Sequence, residues 1–373
     1  MVPLFLSCEP FFSKNKVENR YNLTLDESRV INILRTSMII FVIYAHSLNL
    51  LGIVNAHEPR VLRIIHKVIF AILQRGGGVA GLVLFYSISA ILLFRKPFTF
   101  ISNGKKKFFS LVVPYFLWNS FWIAVIYLMQ LNAKFRAASL SGIAGLHGRP
   151  IDHWGLWNWV NAYIGLGGKW MPFLYPFWFV KDLIVLNLLA VIIKFVVDRF
   201  PVPSIIGLVL IVVFRPELYI VRCYSLVAFV IGYLIVKYRV PLSSVKKIAC
   251  PILVFALFVG YVLTFVHGTY LLGSLVASIA MYMVLLRLAF FAVGRKKICN
   301  WFMSLSRFSF LAFAFHEYTI SLIAYCIGCF IPLSYAVRFL EFLLLPVVVI
   351  LMCAGLSVLL SKTNVMKILT GGR

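Results

Sequence analysis

The sequence predicts an all-α fold, a polytopic membrane helix bundle of about ten transmembrane helices with no appended soluble domain. Three observations carry that expectation. Hydrophobic residues make up 62% of the 373-residue chain and the mean hydropathy is +0.98, too apolar for a soluble globular domain. Apolar runs near 30–52, 77–94, 108–131, 177–197, 221–237, 248–266, 270–291, 304–328 and 334–360 approach the length that ~30 Å of hydrocarbon requires. The charged residues lie largely in the breaks between those runs.

In chain order, the first run follows about thirty residues of mixed polarity without a small-residue cleavage signature, so it is expected to be a retained span. Prolines mark the ends of several later runs: Pro114, Pro172, Pro176, Pro251, Pro332 and Pro346 stand where a missing N–H is least costly. Pro201, Pro203 and Pro216 bracket a short run, Ser204 to Phe214, expected to make a tenth crossing with help from its neighbours. No internal repeat or low-complexity segment is visible. Cys326 and Cys329 form the only close pair among seven cysteines and read as small apolar residues of a packed helix.

The formal net charge of +25, from 36 Lys and Arg against 11 Asp and Glu, is too interleaved with apolar runs to indicate nucleic acid. It fits anionic lipid head groups on the cytoplasmic side. Counting Lys and Arg in alternate breaks assigns the N-terminal tail, Arg95 to Lys107, Lys194 to Arg199, Lys237 to Lys247, Arg295 to Lys297 and the C-terminal tail to the cytoplasm. Arg60, Arg63, Lys67 and Arg75 resist the count, falling on the opposite side. The only long break, Asn132 to Pro176, contains His147, Asp152, His153, Trp154, Trp157, Trp159, Gly165, Gly167, Gly168 and Trp170. Its tryptophans fit an interfacial belt and equally a surface on which sugar rings stack.

Arg35 and His46 stand inside the first run, and both are costly in hydrocarbon. Eleven steps along an α-helix give three rotations plus about 20°, so the two side chains share a face, roughly 16 Å apart along the axis. A guanidinium and an imidazole so placed suit a site that holds an anion and moves a proton. A structural reading stands beside this one, in which Arg35 snorkels from near the helix start and His46 is a packed polar residue.

Four segments resemble the integral membrane acyltransferase 3 family, which acylates bacterial sugars and other small acceptors. RVINILRTSMIIFVIYAHSL carries an arginine, ten residues and a histidine, here Arg35 and His46. GGGVAGLVLFYSISAILLFRK is similar to a glycine-led span closing on two aromatics and a serine, here Phe85, Tyr86 and Ser89. PFWFVKDLIVL, with Trp178, Phe179 and Asp182, resembles the opening of a later span, and SRFSFLAFAFHEYTI a late span with a histidine, here His316. Two departures stand out: Ser89-Ala90 replaces a usual Ser-Gly, and Lys105, Lys106 and Lys107 with Ser110 replace two arginines ahead of Pro114. Lysine attracts phosphate without a bidentate fork.

The resemblance implies an acyltransferase domain over 29–361 between cytoplasmic tails 1–28 and 362–373, in a bacterial cytoplasmic membrane. It implies an acyl-CoA donor, usually acetyl-CoA, with no bound cofactor, and a saccharide or lipid-linked saccharide acceptor. Membrane lipid and proteins of glycan biosynthesis are the other expected partners, and nucleic acid is not one. His46 and Arg35 are then the expected catalytic residues, with Arg95, Lys105, Lys106 and Lys107 towards the donor. Ser89, Trp178, Asp182, His316 and Glu317 serve either the site or helix packing. His57 and His267 read as loop residues. No HExxH spacing or GxSxG elbow is present, and no metal is expected. A transporter or flippase of a lipid-linked glycan and a glycan polymerase are the competing classes, although no relation between two halves of the chain supports a transporter.

The charge count makes a direct prediction about sidedness. Cysteines placed singly at Asn103 and Gly148 are expected to react with impermeant maleimide from opposite faces of the membrane, Asn103 from the cytoplasm. Labelling of both from one face breaks this topology.

Overall fold

A computed structural model describes residues 21–53, 79–96, 107–146, 148–165, 171–214, 221–266, 270–332, 334–360 and 363–370, with isolated positions between 61 and 105. All regular elements among them are helical. They are α1 (Leu25–Ser47), α2 (Val79–Phe94), a π-helical turn (Phe108–Val112) leading into α3 (Val113–Met129), α4 (Ala133–Gly142), α5 (Leu156–Ile164), α6 (Trp178–Leu188) and α7 (Ala190–Arg199). There follow α8 (Pro201–Phe214), α9 (Cys223–Lys237), α10 (Cys250–Phe265), α11 (Tyr270–Val293), α12 (Lys296–Ser306), α13 (Ser309–Phe330), α14 (Tyr335–Leu360) and α15 (Asn364–Thr370).

Among the described residues, five helical segments are long and apolar enough to cross a membrane: Leu25–Leu51, Phe108–Met129, Val276–Val293, Ser309–Phe330 and Tyr335–Leu360. A sixth arises if Ala190–Arg199 and Pro201–Val212, bent by 118°, form one broken span. The expected count of ten is therefore not met by helix length. Val83–Phe94, Cys223–Lys237 and Cys250–Thr264 match three other expected crossings but fall below the ~20 residues a straight crossing needs.

Helix α1 begins five residues before the apolar run, because Thr24 caps it. The Thr24 side chain accepts from the Glu27 N–H at 3.1 Å while Glu27 accepts from the Thr24 N–H at 3.1 Å, a capping box that satisfies two otherwise unpaired donors. Arg35 is consequently the eleventh helical residue, roughly 15 Å from the start of the helix. Helix α1 packs against α2, α11, α12, α13 and α14, with Val30, Met38 and Ile43 fully buried. A helix so surrounded presents its polar face to protein.

Close approach of backbones fixes the neighbouring helices. A Cβ on Gly232 of α9 would lie 2.3 Å from the Ser87 carbonyl oxygen of α2, so this crossing admits only hydrogen. Tryptophans bind elements end to end: Trp122 Nε1 donates to the Ala314 carbonyl at 2.9 Å and Trp118 Nε1 to that of Leu369 at 3.0 Å. The second of these docks α15 against α3, so residues expected as a free cytoplasmic tail form a packed helix.

The long break is also more structured than its composition indicates. Phe173, Leu174 and Phe177 are fully buried. The Leu174 N–H donates to Asn119 Oδ1 at 2.9 Å, the Phe173 N–H to the Ala162 carbonyl at 2.7 Å, and the Tyr318 hydroxyl to the Phe173 carbonyl. Lys181 Nζ donates to the Gly165 carbonyl at 2.9 Å. Trp154 and Trp159 meet edge to face at 5.1 Å, whereas Trp157 is exposed. Cys326 and Cys329 lie exposed on α13, a helix that packs against α1 and α14. Lys106, His57, His147, Gly167, Gly168, Trp170 and His267 lie outside the described residues.

Candidate active site

Two polar centres stand along the inner face of α1. The lower one is a cavity of about 190 Å³ lined by Arg35 and Ile39 of α1, Phe85 and Ser89 of α2, Lys107, Ser110 and Leu111 at the π-helical turn, Phe179 of α6, and Ser309 and Phe313 of α13. A π turn shifts the side-chain register by one residue and recurs at functional sites; here it lies at the cavity wall. Among the described residues Arg35 has no ion pair or hydrogen bond, and burial is the one influence acting on its guanidinium. A half-buried guanidinium with open donors beside serine hydroxyls is suited to receive an anion.

The upper centre forms where α1 meets α13. His46 Nδ1 lies 2.5 Å from Glu317 Oε2, and the His46 ring stands 5.0 Å from that of His316 and 5.8 Å from that of Tyr175. Glu317 thus faces the Nδ1 edge of the His46 ring. His316, fully buried, has Nδ1 2.7 Å from the Phe313 carbonyl. That pairing requires Nδ1 to carry the proton and leaves Nε2 with its lone pair unmatched. Phe313 joins the two centres, since it lines the cavity and its ring lies 5.7 Å from that of His316.

Ligand atoms of His46, His316 and Glu317 all lie within 4.8 Å of one another, a grouping that sequence spacing did not reveal. The 2.5 Å between His46 Nδ1 and Glu317 Oε2 is shorter than the roughly 3.3 Å separating two tetrahedral ligands at zinc bond lengths. This geometry suits a shared proton and does not suit a common ion. With Nδ1 facing the carboxylate, Nε2 of His46 is the atom available to a substrate. The carboxylate stabilises the imidazolium that forms when Nε2 takes a proton.

A family model described as an acyltransferase domain, that of the acyltransferase 3 family, matches residues 29–362. The chain belongs to that family. Neither a curated protein nor a solved structure matches it significantly. Membership selects acyl transfer over the transporter and polymerase classes, and the apolar helices make this acyltransferase a multi-pass membrane protein.

The structure gathers some expected site residues and separates others. Arg35, Ser89 and Lys107 share the cavity, and His46, His316 and Glu317 share the upper centre. Arg95 and Lys105 are not cavity residues: Arg95 follows the end of α2 and Lys105 is exposed. Asp182 and Trp178 are gathered with Arg222 instead. Sequence reasoning missed Tyr175 and Arg222 as candidates. Tyr175 gave no signal among so many aromatics, and Arg222 passed as a cation at a break.

The contact between His46 and Glu317 yields a specific expectation. Glu317→Gln keeps the shape of the side chain and removes its charge, so acyl transfer in isolated membranes should fall on the order of 10²-fold or more while the protein remains abundant, a loss in the range of a general base's contribution. A Glu317→Gln enzyme of wild-type rate would show that the carboxylate does not support His46.

Proposed function

We propose that this protein is an O-acetyltransferase of a bacterial cytoplasmic membrane, with both termini in the cytoplasm, transferring acetyl from acetyl-CoA to a hydroxyl of a cell-surface or lipid-linked saccharide. The observation that carries this reading is the division of α1 into an anion-receptive guanidinium in a cavity and, further along the same helix, an imidazole backed by a carboxylate. Arg35, with Lys107 and the hydroxyls of Ser89, Ser110 and Ser309, holds an anionic part of the donor. His46 stands where the hydroxyl of the acceptor reacts.

In the reaction, the acceptor oxygen forms a bond to the thioester carbonyl carbon as its proton passes to His46 Nε2. The carbon–sulfur bond then breaks, coenzyme A leaves as thiolate, and the imidazolium returns the proton to it. Glu317 stabilises the imidazolium between these events. Lysine in place of the family's arginines at positions 105–107 leaves donor attraction in that segment to point charge, and makes Arg35 the donor site's bidentate group.

Cells lacking the gene should lose acetyl signals from the proton NMR spectrum of their surface glycans while polymer length is unchanged. Wild-type protein should restore the signals, and His46→Ala at equal membrane abundance should not. Arg35→Lys keeps the charge and loses the planar fork, so it should restore little acetylation. Full restoration by His46→Ala would end the general-base assignment, and loss of polymer in place of acetyl would end the acetyltransferase reading.

A further inference from the structure

A third polar cluster lies beside the upper centre and takes no part in the chemistry just described. Arg222 is the residue that precedes α9. Its guanidinium lies 3.7 Å above the Trp178 ring and Nη1 lies 3.7 Å from Asp182 Oδ2. Asp182 is almost wholly buried. Its Oδ2 accepts from the Ser225 hydroxyl at 2.9 Å and from the Arg222 backbone N–H at 3.3 Å. Its Oδ1 has no partner among the described residues.

This arrangement holds the Arg222 fork in place without using it up. Stacking on Trp178 fixes the plane of the guanidinium, and Asp182 attracts it from beyond hydrogen-bond distance. The side-chain hydrogen bond that Arg222 makes is from Nη2 to Met171 Sδ at 2.8 Å, and a thioether is a weak acceptor. The remaining edge is open, with the side chain 24% exposed. Charge is unbalanced as well. Among the described residues, Arg222 and Lys181 oppose Asp182, and Lys181 is held on the Gly165 carbonyl.

The cluster reaches the reacting centre through Tyr175. That ring lies 5.8 Å from His46, and Tyr175 stands three residues before Trp178, on which Arg222 stacks. A ligand bridging Arg222 and His46 would therefore pass along Tyr175. Resting on the proposed O-acetyltransferase reading, we infer that Arg222 binds an oxyanion of the acceptor, a sugar carboxylate or a sugar phosphate, and so sets which hydroxyl meets His46. Asp182 and Trp178 are positioning residues that act through Arg222.

The test is equilibrium binding to the full-length protein in detergent micelles without donor, by titration calorimetry, with methyl α-D-glucuronide, glucose 1-phosphate and methyl α-D-glucoside as probes. Wild type should bind at least one anionic probe on the order of tenfold more tightly than the neutral glucoside. A stronger response to glucuronide assigns the carboxylate, and a stronger response to glucose 1-phosphate assigns the phosphate. Arg222→Lys, which keeps the charge and is the milder change, should lose most of the preference, and Asp182→Asn should reduce it. Arg136→Ala should leave it intact, because that guanidinium pairs with Asp152 in the loop and belongs to neither centre. Absence of any anionic preference in wild type, or its survival in both Arg222→Ala and Arg222→Lys, overturns the inference. Since the assay contains no acetyl-CoA, its result is independent of the glycan acetylation experiment, and either reading can fail alone.

Discussion

An arginine set into a membrane helix without a carboxylate partner is the constraint on which this structure turns. A guanidinium is expensive in hydrocarbon, and Arg35 is nearly three turns inside α1 with no ion pair among the described residues. The fold meets that cost by surrounding α1 with five other helices and by opening a cavity of serine hydroxyls at Arg35. An unpaired charge among apolar helices is costly, which is the reason to read Arg35 as part of an anion site. The upper centre solves the same problem differently, because His46 is partnered by Glu317.

The surrounding architecture keeps these two centres apart and in line. One continuous helix sets their spacing, and α13 faces both, through Ser309 and Phe313 below and His316 and Glu317 above. The tucked segment 171–177 closes the bundle by pairing its backbone with Asn119, Ala162 and Tyr318, which brings Tyr175 to His46. A donor held low and an acceptor held high would meet along α1, with bulky Phe179 and Phe313 at the cavity wall limiting what passes between them.

Much of this was legible in the sequence for physical reasons. The helical class followed from hydropathy, and Arg35 and His46 were conspicuous because polar residues in an apolar run carry a cost that demands a reason. Lys107 and Ser89 were found through motif resemblance. Other features were hidden because they depend on contacts between distant segments. Glu317 is 271 positions beyond His46 in the chain, and nothing in its own helix marks it as the partner of His46. Arg222 resembled any cation at a span end until Asp182 and Trp178 were seen to hold it. The count of ten crossings is not confirmed by helix length, because hydropathy counts apolar residues, whereas the described parts of α2, α9 and α10 are apolar but short. The buried strap at Phe173 gave no signal, since its order comes from backbone hydrogen bonds to side chains of other helices.

The central claim, that the Arg35 cavity receives the donor, is open to one direct measurement. A cysteine is placed at Ser89, which shares the cavity with Arg35, in a chain whose native cysteines are replaced, and its alkylation rate by a small membrane-permeant reagent is followed with and without acetyl-CoA. The account predicts that acetyl-CoA slows alkylation of Ser89→Cys in a saturable manner and that adding Arg35→Lys removes most of the protection while adding His46→Ala does not. Equal alkylation rates with and without saturating acetyl-CoA, in a protein that still transfers acetyl groups, would contradict it.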